Sequence, residues 1–176
     1  MTRKLKNIFI HCSATPWGEV LVFDEWHRKY GWSGIGYHYV ILNGRPFSDV
    51  DYWPFLDGQI EAGRHLDDDP IFDDDEIGVH VAGRNSSSIG ICLVGKKSFT
   101  DKQLIVVKEL LKNLTEHFDL TFDDVLGHCE DLNTTKTCPN LPMEFFREYL
   151  KDNILLKDLQ AKIAHHVQGI YGYDGY

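Results

Sequence analysis

The chain has 176 residues, 43% of them hydrophobic and 26% charged, and a formal net charge of −9. Its length supports one domain with a sizeable core, and its 10 Phe, 8 Tyr and 4 Trp exclude global disorder. The negative balance argues against binding a nucleic-acid backbone, which relies on clustered Lys and Arg, and no apolar run approaches the ~20 residues of a membrane span.

The basic start from Met1 to Lys6 is followed only by Ile8-Phe9-Ile10, short of the roughly 7–15 apolar residues of an export leader. No signal peptide and a cytoplasmic location are therefore expected. Asn7 to Ser13 reads as a buried strand, short and apolar with a polar end. Phe23 to Tyr30 reads as a helix closed by Gly31. Tyr37 to Leu42 is a second strand, and Asn43-Gly44 predicts a hairpin turn into Arg45–Ser48. Ser88 to Val94 is a third buried strand, ended by Gly95. Thr100 and Gln103 form a capping box ahead of Leu104, Val107, Leu110, Leu111 and Leu114. Asp123 to Gly127 is a short strand running into His128, and a Pro-rich loop at Cys138–Pro142 precedes a helix over Met143–Leu150. From Lys151 the periodicity stays helical to Val167 and then dissolves into Gly and Tyr. Strands and helices interleave without repeat or linker, which predicts an α/β domain built on one sheet.

Asp67, Asp68, Asp69, Asp73, Asp74, Asp75 and Glu76 read as a solvated acidic loop. A calcium site stays open there, although the register of a calcium loop is absent. Cys12, Cys92, Cys129 and Cys138 are expected to be reduced thiols. His11 ends a buried strand, His128 follows Gly127 at the end of another, and Cys138 stands in a loop stiffened by Pro139. Two neutral imidazoles and one thiolate are a ligand set for catalytic zinc, with the fourth position left for water. Spacing alone leaves a structural role open for each of them. In extended strands Cys12 alternates away from His11 and Cys129 away from His128, which suggests core packing beneath them.

These residues fall in five collinear blocks. The first is Ile8-Phe-Ile-His-Cys-Ser-Ala-Thr15; the second is Trp26-His-Arg-Lys-Tyr-Gly-Trp32 with Gly36-Tyr-His-Tyr-Val-Ile41. Then come Glu61-Ala-Gly-Arg64 and His80-Val-Ala-Gly-Arg-Asn85 with Ser88-Ile-Gly-Ile-Cys-Leu-Val-Gly95. The last is Gly127-His-Cys-Glu130 followed by Lys136-Thr-Cys-Pro139. Across residues 7–150 the chain resembles the zinc-dependent N-acetylmuramoyl-L-alanine amidases (amidase type 2 family), a group that includes T-odd bacteriophage lysozyme and the peptidoglycan recognition proteins. The resemblance implies a single domain with a central mixed β-sheet flanked by helices and a zinc site in a cleft at one edge of the sheet. It implies a catalytic domain over residues 1–150, with 151–176 as a helical extension of it. One zinc ion would be held by His11, His128 and Cys138. Tyr37 and Lys136 would be the active-site tyrosine and lysine, and His80, Arg64 and Asn85 would contact substrate. The implied reaction is hydrolysis of the amide between N-acetylmuramic acid and the L-alanine of the stem peptide, so the partner is bacterial peptidoglycan. A monomer is expected, and a phage RNA polymerase is a partner by family analogy alone.

Two features depart from the family pattern. The acidic stretch from His65 to Ile77 resembles an insertion near the substrate, where it either gates the cleft or binds cationic parts of a stem peptide. The tail beyond Leu150 reads as a helix packed on the outside of the domain, so deleting residues 152–176 should spare activity on soluble muropeptides. His27 and His38 read as structural, and His165-His166 lies outside the matched blocks. The rivals are a non-catalytic peptidoglycan-binding module or regulator, a secreted antibacterial amidase effector, and a cysteine peptidase with Cys138 as nucleophile and His128 as base.

Overall fold

Every residue of the strand Ser88–Leu93 is buried, as a strand covered on both faces must be, and the sheet is built outward from it. The structure is a computed structural model that describes residues 3–67, 69 and 71–172. In chain order the strands are β1 (Asn7–Cys12), β2 (Tyr39–Asn43), β3 (Asp57–Ala62), β4 (Ser88–Leu93) and β5 (Val125–Gly127). The helices are α1 (Val20–Lys29), α2 (Asp101–His117), α3 (Met143–Leu150) and α4 (Leu156–Tyr171). The sheet order is β3-β2-β4-β1-β5, mixed, with only β2 and β3 antiparallel. Register is set at Ile10 opposite Ile91 and opposite Gly127, and at Ile41 opposite Leu93.

Period-two alternation splits the sheet into two faces. Ile8, Ile10 and Cys12 of β1, Ile41 of β2, and Ile89, Ile91 and Leu93 of β4 pack into the main core. There they meet Leu104, Val107 and Leu111 of α2 and Phe146 and Leu150 of α3, each one to three kcal/mol or so of burial. On the other face Phe23 of α1 packs against Val40, Leu42, Cys92 and Val94. These belong to β2, β4 and the residue after it, so α1 covers that half of the face. Phe9 and His11 of β1 point to the half that α1 leaves uncovered. That division creates room for a cleft beside the edge strand β5.

The capping box forms as the sequence suggests. Thr100 Oγ1 accepts from the Gln103 N–H at 3.1 Å, and Gln103 Oε1 accepts from the Thr100 N–H at 3.0 Å. The hairpin at Asn43-Gly44 does not form. Asn43 Oδ1 does accept from the Arg45 N–H, a local turn, and Gly44 takes a φ of +83°. The chain then runs through an exposed loop, and the antiparallel partner of β2 begins only at Asp57.

The tail is more than an external helix. Leu159, Ile163 and Val167 of α4 join the main core, and Gln160 Nε2 donates to the Phe99 carbonyl and to Asp101. Removing α4 would expose that part of the core, which argues against a dispensable tail. The acidic stretch is pinned rather than loose. Phe72 is fully buried, and the Glu76 carboxylate accepts the N–H groups of Asp67 and Asp73, both at 2.7 Å. His65, Asp67 and Glu76 approach one another closely enough to share a cation, although each Glu76 oxygen already accepts a backbone donor. Among the described residues no helix is long and apolar enough to cross a membrane.

Candidate functional site

His11, one residue before the end of β1, projects onto the uncovered half of the sheet and is 1% exposed. His128 opens a short 3-10 turn directly after β5, and its ring lies 4.8 Å from that of His11. The turn is anchored by Glu130, which accepts the Gly127 N–H and forms a two-pronged pair with Arg147 of α3. Cys138 is tied to the turn after β5 and to the end of β1. Its carbonyl accepts the Cys129 N–H at 2.7 Å, and its Sγ accepts the Cys12 N–H at 3.2 Å. The ligand atoms of His11, His128 and Cys138 all lie within 4.8 Å of one another. A tetrahedral zinc site with bonds of 2.0–2.3 Å needs donor separations of about 3.3–3.8 Å. The measured 3.8 Å from Cys138 Sγ to His11 Nδ1 falls there. The donor set and this separation therefore fit a zinc ion.

A hydrogen-bond relay sets which nitrogen of His11 is free. His80 Nε2 lies 3.2 Å from the Ser88 carbonyl, an acceptor only, so that nitrogen carries the proton. His80 Nδ1 is then an acceptor, and His11 Nε2, 3.2 Å away, donates to it. His11 Nδ1 is left with its lone pair toward Cys138. Burial pushes His80 down to about 3, with His38 adding to the effect, so the relay histidine stays neutral. Burial, followed by the charges of His80, His128 and Lys136, holds His11 well below the usual range as well. Gly90 is required for this packing, since a Cβ there would stand 2.6 Å from the His80 ring. His80 thus acts from behind His11 as a positioning residue and also lines the cleft.

The Cys138 thiol is pushed far up by its contact with Cys12 and by burial, so a thiolate there needs a cation opposite it. That direction is the reverse of what a nucleophilic cysteine needs. The ring nitrogen in contact with its sulfur is that of His11, at 3.8 Å, an arrangement that does not favour the peptidase rival.

A cavity of about 520 Å³ opens over these residues and is also lined by Tyr37, Trp32, Lys136 and Tyr171. Tyr37 stands in the approach to β2 rather than on a strand, with its ring 5.2 Å from His11 and 5.4 Å from His27. Burial raises its phenol well above the usual value, so it is a neutral donor. Lys136 is exposed on the loop before Cys138, and its charge reaches the metal-ligand group, contributing to the lowered pKa of His11 and His128. A second cavity continues past His128, Lys136 and Trp32 to Asn85, Asp131 and Asn133.

Asn85 and Arg64 are each held by polar contacts of their own. Asn85 Oδ1 accepts the N–H groups of His80 and Val81, which fixes the His80 loop at the edge of the second cavity. Arg64 reaches Ser33 and lines a separate surface cavity with His38 and His65, away from His11. His38 is structural, donating to the Glu76 carbonyl and accepting the Gly90 N–H, and His27 accepts the Gly36 N–H. The described residues between Asp67 and Glu76 line neither cavity beside the metal-ligand group. Trp32 stands in a quoted motif without a role read from it, and Tyr171 carries no local sequence signal at all; both line the cleft.

Comparison with known proteins agrees with this geometry. A family model described as N-acetylmuramoyl-L-alanine amidase matches residues 1–141. The endolysin of Klebsiella phage KP32 is 30% identical over 167 residues, covering 89% of this chain and 93% of its own. The endolysin of Escherichia phage T7 is 32% identical over 162 residues, covering 86% and 89%. Among solved structures, the endolysin amidase LysCS from Clostridium intestinale URNW superposes with a TM-score of 0.66 at 25% identity, over 85% of both chains. Drosophila PGRP-LB shares the fold at a TM-score of 0.55 and 21% identity, over 79% of this chain and 76% of its own.

Proposed function

The chain belongs to the N-acetylmuramoyl-L-alanine amidase family, and from that premise we propose how it works: it hydrolyses the amide joining N-acetylmuramic acid to L-alanine in peptidoglycan, using a zinc ion held by His11, His128 and Cys138. The observation that carries this reading is the convergence of these three ligand atoms within 4.8 Å, in a cavity that Tyr37 and Lys136 also line. Its relatives are endolysins, which supports a lytic role at the bacterial cell wall.

A zinc ion held there would supply Lewis acidity and bring the pKa of the hydrolytic water to about 7. The residues of the chain do the rest. His11 and His128 stay neutral because they are buried and lie near Lys136, so they ligate without a bound proton to displace. His80 keeps the His11 lone pair aimed at the ion. Tyr37, neutral at working pH, donates its phenol proton as a hydrogen bond that orients the scissile carbonyl. The Lys136 ammonium faces the oxygen on which negative charge develops as the carbonyl is attacked. The leaving group is the α-amine of L-alanine, which must gain a proton as the C–N bond breaks.

Chelation tests the reading. Dialysis against a zinc chelator should lower release of muropeptide products by about a hundredfold or more, and one equivalent of zinc should restore it. Full turnover by metal-free protein would overturn it.

A further inference from the structure

The sulfur of Cys138 has two sets of neighbours. Strand β1 ends at Cys12, whose side chain points into the main core, on the face opposite His11. The loop carrying Cys138 crosses that strand end, so its sulfur stands 3.8 Å from His11 Nδ1 and also accepts the Cys12 N–H at 3.2 Å. The same thiol reaches the Cys12 carbonyl at 4.0 Å, and the two thiols are in side-chain contact. An amide nitrogen is one bond from its Cα, so the Cys138 sulfur lies within about 4.7 Å of the Cys12 Cα. A disulfide holds its two Cβ atoms about 3.8 Å apart, and a sulfur at this range forms one by side-chain rotation. Asn140 fastens the arrangement, since its Nδ2 donates to Cys12 Sγ at 3.7 Å and to the Lys96 carbonyl at 2.7 Å. Both cysteines are free thiols and line the cavity of about 520 Å³, where a small oxidant reaches them. The hydrolytic reaction uses Cys138 and does not use Cys12.

We propose that Cys12 and Cys138 form a reversible oxidation site for hydroperoxides, in which Cys12 is the resolving thiol that captures an oxidised Cys138 as a disulfide. The Cys138 sulfur attacks one oxygen of hydrogen peroxide as a thiolate. The O–O bond breaks, hydroxide leaves, and the sulfur becomes a sulfenic acid. The Cys12 sulfur then attacks that sulfur and the S–O bond breaks. The Cys12 proton and one from solvent leave with the oxygen as water, and hydroxide takes up the balancing proton. Two electrons have passed from two thiols to one peroxide. The disulfide offers no thiolate to a metal, so His11 and His128 alone are left to hold it. Two equivalents of an external thiol reverse the change by exchange and restore the ligand. Without Cys12 the sulfenic acid goes on to a sulfinic acid, which thiols do not reduce. Cys129 is the competing partner, because its N–H is bound to the Cys138 carbonyl at 2.7 Å.

The loss of metal rests on the amidase reading, and the test separates the two. The zinc-loaded full chain and Cys12→Ala are treated with a small excess of hydrogen peroxide, and released zinc, intact mass and non-reduced peptide maps are read together. The wild-type chain should lose two hydrogens in mass, show a Cys12–Cys138 crosslink and release about one zinc per crosslink. A thiol reductant and zinc should then restore both the mass and the metal. Cys12→Ala should show no crosslink and gain two oxygens at Cys138, and after the same reduction it should rebind about tenfold less zinc than the wild-type chain. Both thiols remaining open to alkylation in the treated wild-type chain would overturn the proposal. So would a Cys129–Cys138 crosslink, or two oxygens on Cys138 in the wild-type chain as in the variant. If Cys12→Ala does not fold, the wild-type peptide map decides alone. If the wild-type chain holds no zinc and cleaves nothing, the amidase reading fails, and the presence or absence of the Cys12–Cys138 crosslink in metal-free protein treated with diamide still decides the thiol pair.

Discussion

Cys138→Ser should remove the metal and the activity together. The sulfur is the one anionic donor in the group, and a serine hydroxyl stays protonated and neutral near pH 7, where a thiolate would form opposite a dication. Two neutral imidazoles remain, a set too weak to hold the ion against dilution. The change in volume is small, and the segment keeps its backbone tie from the Cys129 N–H to the residue 138 carbonyl. The fold should therefore survive. The wild-type chain should carry about one zinc per chain after dialysis and the variant close to none, with turnover lower by about a thousandfold. Metal analysis, turnover and thermal unfolding on the same samples check this. A folded variant that kept its zinc would remove Cys138 from the ligand set.

Lys136→Ala should separate metal binding from catalysis. Lys136 is exposed and donates no ligand atom, so zinc content should be unchanged. It nevertheless lies near enough to add to the effect of burial in lowering the pKa of His11 and His128, and it lines both cavities where they meet. A cation at that junction stabilises charge that appears only as the carbonyl is attacked, so its loss belongs in kcat rather than in KM. Removing such a group costs on the order of a hundred- to a thousandfold in kcat. Steady-state kinetics on a soluble muropeptide, with zinc content measured alongside, gives both quantities. Normal turnover in Lys136→Ala would end its assigned role.

The positions of this site are legible in the sequence because its residues stand beside strong local signals, but their role is legible only through the five collinear blocks, since spacing alone leaves a structural role open for each. His11 closes an apolar strand, His128 follows a strand ending in Gly127, and Cys138 sits in a proline-bounded loop. The helix α2 is equally plain, since the two side chains of its capping box, Thr100 and Gln103, stand three residues apart. Strand β3 is not visible in this way. Asp57-Gly-Gln-Ile-Glu-Ala lies at the sheet edge with only Gly58 buried, so it has no apolar alternation to read. The same absence makes Asn43-Gly44 look like a hairpin turn, when the returning strand starts thirteen residues after Gly44.

Non-local contacts account for the remainder. The place of His80 behind His11 depends on Gly90 making room across a strand, and a loop histidine in a sequence carries no sign of that. Tyr171 reaches the cleft because Leu159, Ile163 and Val167 dock α4 against the main core, and the helical period alone does not say where that helix ends up. Arg64 shows the converse. It belongs to a motif beside the site, but the fold turns it toward Ser33 and a different surface.

The central claim is the bond that is cut. The measurement that tests it most directly gives the zinc-loaded chain insoluble peptidoglycan and follows newly freed N-terminal alanine and new reducing sugar ends in the same digest. The account predicts alanine amines rising with digestion and no new reducing ends. New reducing ends without free alanine, or neither product, would contradict it.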